Sequence, residues 1–154
     1  MNRIARIALD TPVGRIVVTE EDGAITGLGW GGTPAGAQTP LLAEARRQLA
    51  AYFAGTRHAF DLPLAPPGSA FQRAVCTAMC AIPYGETRTY GEIAAALGAS
   101  AQAVGTACGA NPIPVLIPCH RVLGATSLGG YSGAGGIETK VALLRLEGAA
   151  GLLI

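Results

Sequence analysis

The sequence predicts an α+β fold: a small N-terminal antiparallel sheet with a covering helix, then a mainly helical C-terminal half with a helix-turn-helix and an active-site loop. Three observations predict it. Short alternating or β-branched runs separated by turn residues fill positions 3–30, the pattern of half-buried strands. From residue 40 onward, apolar side chains recur instead at helical intervals. Between the halves lies Asp61-Leu62-Pro63-Leu64-Ala65-Pro66-Pro67-Gly68, where each proline disfavours helix at the residue before it, so an extended linker is expected. The division is expected at residues 1–66 and 67–154.

In the first half, Ile4-Ala5-Arg6-Ile7 alternates, Gly14 to Thr19 is β-branched, and Glu21-Asp22-Gly23 is a hairpin turn before Ala24 to Trp30. Gly31 to Gly36 reads as a loop. Pro40 to Phe53 reads as a helix with Arg46 and Arg47 on its wet side. Nothing in this half carries an obvious reactive group, and it reads as a scaffold.

The second half opens with Ser69 as N-cap of a helix running to about Ile82, with Phe71, Val75, Ala78 and Met79 on its apolar face. Cys76 and Cys80 are expected to pack there. After a turn at Pro83 to Glu86, Tyr90–Leu97 and Ala101–Ala110 are short helices joined at Gly98-Ala99-Ser100, a helix-turn-helix spacing. The second of these helices holds no Lys or Arg, and its residues are mostly small. Such a helix suits close approach to a narrow groove, and suits tight core packing equally well. Leu123 to Gly136 is glycine-rich around Tyr131 and Ser132. Ile137–Leu146 closes the chain as a helix with Lys140 exposed, Leu143, Leu144 and Leu146 inward, and Glu147 at its end. A carboxylate there opposes the helix dipole, which suggests a cationic or hydrogen-bonding partner elsewhere.

The chemistry concentrates at Cys119-His120-Arg121. A thiol at its ordinary pKa is only about a few per cent thiolate near neutral pH, so a nucleophilic cysteine needs a base or a positive environment. His120 and Arg121 are of the right kinds. Neighbours in an extended chain point to opposite sides, so Cys119 and His120 require a bridging water or a sharp bend after Pro118. Pro112, Pro114 and Pro118 stiffen the approach. The same dipeptide also fits a buried, unreactive cysteine.

Composition sets the outer limits. The formal net charge is +1 and only 14% of residues are charged, so neither half is a basic nucleic-acid-binding domain by composition. Four cysteines and two histidines at irregular spacing form no Cys-x-x-Cys pair, and no metal is expected. No apolar run approaches the eighteen or so residues of a membrane span, and a cytoplasmic protein is expected.

Pro118-Cys119-His120-Arg121-Val122 resembles the signature of the methylated-DNA-protein-cysteine methyltransferases, or 6-O-alkylguanine-DNA alkyltransferases. The likeness extends through Gly68 to Gln72, Ile82 to Thr87, Thr89 to Ala94, Ala103-Val104-Gly105, Asn111-Pro112, Gly130 to Gly133 and Leu143 to Gly148. The resemblance implies that Cys119 accepts an alkyl group from the O6 position of guanine, or from O4 of thymine, in double-stranded DNA. It makes His120 the base acting through water and Glu147 the group that orients it, and it has Asn111 hold the active-site loop. Tyr90 would press on the target nucleotide's phosphate, Tyr131 and Ser132 would line the guanine pocket, and backbone at Cys119 and Val122 would read the guanine amine. Gln102, Ala103, Gly105, Thr106 and Arg121 would meet DNA. No cofactor is implied, no membrane is involved, and a monomer consumed in one turnover is expected.

Two departures bear on this. Gln102 stands where the family usually has an arginine that enters the base stack, which weakens the expected grip on DNA. Cys108 puts a second thiol near the alkyl pocket, a candidate oxidation partner for Cys119. A further cysteine, Cys76, occupies a place where relatives often carry tryptophan, and nothing in the sequence explains it. The alternatives are a repurposed member taking methyl from a non-DNA substrate, a damage-sensing binder that transfers nothing, and a cysteine hydrolase with a Cys-His-Glu set.

Overall fold

Strands β1 (Ile4–Thr11), β2 (Gly14–Glu21) and β3 (Ala24–Gly29) form an antiparallel meander in that order, in a computed structural model that describes residues 3–131 and 133–149. The β2–β3 turn falls on Asp22 and Gly23, both at positive φ (51° and 85°), which matches the right-handed twist of the flanking strands. Register pairs Val18 with Ile7 on one side and Leu28 on the other. Side chains alternate along a strand, so Ile16 and Val18 share a face, and both are fully buried.

Helix α1 (Pro40–Phe53) packs on β1 and β2. Thr39 caps it by accepting from Leu42 N over 3.0 Å, and Pro40 takes an early position where a missing N–H is harmless. Leu42, Ala45, Leu49 and Tyr52, spaced by three or four residues, form its buried stripe. Burying each large apolar side chain of this kind contributes about 1.5–3 kcal/mol.

The proline-rich linker is extended, as expected, and it is also paired. Ile25 N donates to Pro63 O and Ala65 N to Ile25 O, each over 2.8 Å. Further along the same strand, Leu28 N donates to Pro112 O over 3.0 Å. Strand β3 therefore fastens both the linker and the start of the Asn111–Pro118 segment to the N-terminal sheet.

Helix α2 (Ala70–Cys80) begins with a reciprocal capping box: Gln72 N donates to Ser69 Oγ, and Ser69 N donates to the Gln72 side chain. Helices α3 (Tyr90–Leu97) and α4 (Ala101–Gly109) make the expected helix-turn-helix, with Gly98 at φ 65° ending α3 and Ser100 capping α4. Strand β4 (Arg88–Thr89) pairs in parallel with β5 (Val122–Leu123). A two-residue strand has no period to read, so the sequence did not announce it. Helix α5 (Ile137–Glu147) closes the described chain, ended by Gly148 at φ 62°.

Two expectations are corrected. Cys80 is exposed, while Cys76 is buried as expected, because a four-residue step carries Cys80 about 40° further round the helix from the side held by Val75 and Met79. Lys140 was expected at the surface and is fully buried, its ammonium donating to Val122 O over 2.7 Å and Gly130 O over 2.9 Å. Those two carbonyls offset part of the cost of taking the amine out of water.

Candidate active site

The segment after α4 is built around one amide. Asn111 Oδ1 accepts from Ile113 N over 3.0 Å, and its Nδ2 donates to Ile117 O over 2.8 Å. The loop closes on itself through Ile117 N to Ile113 O at 2.8 Å. Val115 at its tip has φ 73°, a left-handed conformation that is strained for a β-branched residue, by about 1–3 kcal/mol. Burial of Ile113, Val115, Leu116 and Ile117 holds it there.

Beyond Pro118, Cys119–Arg121 form a single 3-10 turn, a sharp bend that does not bring the two side chains together. The turn sends the two side chains to different places. Cys119 lines a cavity of about 290 Å³, while His120, with no exposed surface, reaches Glu147 at the end of α5. The partner expected for a carboxylate in that position is thus found.

Glu147 is the hub of a buried network. Its Oε2 lies 2.7 Å from His120 Nε2, 2.9 Å from Arg121 Nη2 and 2.6 Å from the Tyr52 hydroxyl, and Oε1 accepts from Arg121 Nε over 2.8 Å. Burial alone would raise the carboxyl's pKa, but the donors on His120, Arg121 and Tyr52 outweigh it and bring it down to about 2. An ionised carboxylate can only accept, so His120 Nε2 carries the proton. That leaves His120 Nδ1 as the lone-pair nitrogen, buried and without a hydrogen-bond partner among the described residues. Burial also pushes the imidazole's pKa down, with Glu147 opposing and Arg121 and Lys140 assisting, so the ring rests neutral. A neutral imidazole with a free Nδ1 is a base in waiting.

Burial raises the pKa of the Cys119 thiol, while the Asn111 amide and the Lys140 ammonium pull it down. Helix α4 gives the cavity Gly105, Cys108 and Gly109, which share one face by helical spacing. Tyr90 and Tyr131 form other parts of the wall. The Tyr131 hydroxyl is buried there with no partner among the described residues. Gly133 lets that wall form: a Cβ there would meet the rings of both Tyr131 and Trp30. Trp30 comes from the end of β3, edge-on to Tyr131 with centroids 6.3 Å apart.

The outer surface of α4 is different. Gln102 and Thr106 are exposed, Ala103 is half-buried, and with Ser69, Phe71 and Gln72 of the α2 start they line a shallow groove. Gly105, which lines the cavity, lies one turn from Gln102 on the same helix stripe, so the expected DNA-facing residues of α4 run from the groove to the cavity wall. Arg121 is a correction. It is buried, with Nη1 donating to Ile82 O over 2.6 Å and Nε and Nη2 donating to Glu147, so its guanidinium is turned into the protein rather than presented to a nucleic acid. Ser132 lies outside the described residues. Cys108 and Cys119 line the same cavity as free thiols, and burial pushes Cys108 up to about 12. Among the described residues no cluster of His, Cys, Asp or Glu is placed to hold a metal, and no helix is long and apolar enough to cross a membrane.

Sequence reasoning missed Tyr52, Lys140 and the inward role of Arg121. Tyr52 read as one more apolar position on α1, and only its hydroxyl hinted otherwise.

Comparison with known proteins bears directly on this arrangement. Residues 70–149 match the family 6-O-methylguanine DNA methyltransferase, DNA binding domain, and residues 4–66 match 6-O-methylguanine DNA methyltransferase, ribonuclease-like domain. The chain is 43% identical over 152 residues to the constitutive methylated-DNA–protein-cysteine methyltransferase of Bacillus subtilis, covering 90% of this chain and 92% of that one. The methylated-DNA–protein-cysteine methyltransferase of Mycolicibacterium paratuberculosis is 44% identical over 154 residues, covering 90% of this chain and 89% of that one. Among solved structures, Mycobacterium tuberculosis OGT in complex with DNA superposes with a TM-score of 0.79 at 42% identity, over 92% of this chain and 91% of that one. The M. tuberculosis O6-methylguanine methyltransferase gives 0.81 at 38% identity, over 99% and 97%. With both halves matched in order, the chain belongs to the 6-O-methylguanine DNA methyltransferase family.

Proposed function

We propose that the protein repairs duplex DNA by taking an alkyl group from the O6 position of guanine, and from O4 of thymine where that lesion fits, onto Cys119 in a single irreversible turnover. Family membership carries the coarser statement that this is a DNA-binding DNA-repair methyltransferase of the methylated-DNA–protein-cysteine class. The observation that carries the finer one is the back-to-back arrangement of Cys119 on a cavity wall and a neutral His120 held by ionised Glu147.

In this reading the Cys119 proton passes by way of a water to His120 Nδ1, and Glu147 stabilises the resulting imidazolium. The sulfur attacks the alkyl carbon, an S–C bond forms as the C–O bond breaks, and guanine leaves as an anion that takes a proton from Tyr90 or solvent. A thioether has no easy return path, so one protein serves one lesion. Tyr131 and Ser132 enclose the flipped base, and the backbone at Cys119 and Val122 reads its amine. The exposed face of α4 with Gln102, Ala103 and Thr106 lies in the minor groove, where short side chains allow close approach. Residues 1–66 act as scaffold, residues 67–154 carry DNA binding and transfer, and the protein works in the cytoplasm as a monomer. Cys119→Ala is expected to bind duplex normally and to transfer nothing. Transfer retained by that variant would rule the reading out.

A further inference from the structure

We propose that Tyr52 is a positioning residue of the Cys119 site: its hydroxyl, delivered by N-terminal helix α1, sets how strongly Glu147 holds the His120 imidazole and so the pH range in which His120 takes a proton. This assigns the N-terminal half a part in the chemistry. It deepens the proposed function, and only its kinetic consequence rests on that reading.

The hydroxyl is the part of Tyr52 that packing leaves unexplained. The other fully buried apolar residues of its stripe, Leu42, Ala45 and Leu49, carry no polar group, and a phenylalanine would fill the same space. The ring is clamped edge-on by Tyr84, with centroids 6.2 Å apart, and Phe60 lies at 5.2 Å. The hydroxyl therefore has little freedom to turn from Glu147 Oε2, 2.6 Å away. That oxygen is the one facing His120, and it already takes a donor from Arg121.

A carboxylate oxygen has two lone pairs, so three donors on Oε2 share its charge and each weakens the others. Burial drives the phenol's pKa upward, so Tyr52 remains a donor throughout. Removing the hydroxyl returns charge density to Oε2, stabilises imidazolium, and moves the His120 titration to higher pH. The other charged or titratable groups acting on this pair are Arg121 on the 3-10 turn, Tyr84 before β4, and Lys140 on α5, while Cys119 points away into the cavity. Substitution at Tyr52 changes none of them.

The test is a proton NMR titration of the full chain as wild type, Tyr52→Phe and Tyr84→Phe. The chain has only two histidines, His58 and His120; His58 is an internal control for Tyr52→Phe, whereas it stacks on the Tyr84 ring at 4.0 Å and is expected to respond to Tyr84→Phe. Tyr84 donates to Leu146 O over 3.1 Å and leaves the carboxylate alone. Tyr52→Phe should raise the His120 inflection by about half a pH unit or more, with Tyr84→Phe within about 0.1 of wild type. Global replacement by 3-fluorotyrosine, a stronger donor, should move it downward and serves if Tyr52→Phe does not fold. A His120 inflection unmoved by Tyr52→Phe, moved equally by Tyr84→Phe, or unseen in every protein overturns the proposal. The acid limb of alkyl transfer from a 6-O-methylguanine duplex should follow the NMR shift. A shift without transfer in any protein would count against the proposed function and leave the role of Tyr52 standing.

Discussion

His120 and Glu147, 27 residues apart in the chain, meet through Nε2 and Oε2 at 2.7 Å with neither side chain exposed to solvent. Because the carboxylate can only accept, this contact decides which imidazole nitrogen is left to act as base. Glu147→Gln replaces it with an amide that can donate to Nε2 and so favours the wrong tautomer. Single-turnover transfer should fall by about 10²-fold or more. The same change leaves the Arg121 guanidinium without its counter-charge, and unfolding by urea should show a loss of about 3–5 kcal/mol.

Acid stability follows from the same carboxylate. Its folded pKa is depressed to about 2 from an ordinary value of 4.5. The sign is that of an acid stabilised as its anion: the contribution is fully present above about pH 4.5 and drains as pH falls toward 2. A shift of that size corresponds to about 3 kcal/mol. Urea melts at stepwise lower pH should show wild type losing stability through this window, with Glu147→Gln losing less.

Lys140 places a buried ammonium beside Cys119 and Cys108, and burial lowers its pKa to about 8 against the pull of those two thiols. The cation is therefore present at neutral pH and fades above about 8. Lys140→Met should slow transfer at pH 7 by about tenfold, the equivalent of one pKa unit on the thiol. The gap should close at higher pH, where Lys140 loses its charge and Cys119 ionises unaided. A pH-independent deficit would indicate loss of the Val122 and Gly130 contacts instead.

Gln102 is exposed at the start of α4, on the groove side. Gln102→Arg adds a charge to a protein of formal net charge +1. Duplex binding should tighten, and the slope of log affinity against log salt should steepen by about 0.9, the value for one additional phosphate contact. Transfer from a free base analogue, which needs no duplex, should be unchanged.

The parts of this architecture that were legible were local. The capping residue Ser69, the Asp22-Gly23 and Gly98-Ala99-Ser100 turns and the helical spacing along Pro40–Phe53 each act within a few residues, and the elements formed where those signals stood. Cys119 and His120 were legible as a pair, and Glu147 betrayed itself by sitting at the wrong end of a helix dipole. The long-range polar contacts were not legible. Period identifies the buried face of a helix, yet it cannot say that Tyr52 meets a carboxylate 95 residues away. Lys140 falls on an ordinary turn of α5, and its burial is made tolerable by groups distant in sequence, the carbonyls of Val122 and Gly130 and the Tyr90 ring 5.8 Å away. Arg121 read as an outward cation because its partners, Ile82 O and Glu147, are distant in sequence.

The most direct measurement is intact mass after incubation with a short duplex carrying one 6-O-methylguanine, followed by peptide mapping. A gain of one methyl, at most one per molecule and located on Cys119, is the expected result. Cys108, protonated at neutral pH because burial pushes it up to about 12, should remain unmodified. No gain from the duplex, with Cys119 still alkylated by free benzylguanine, would contradict DNA repair by this thiol and point to another methyl donor.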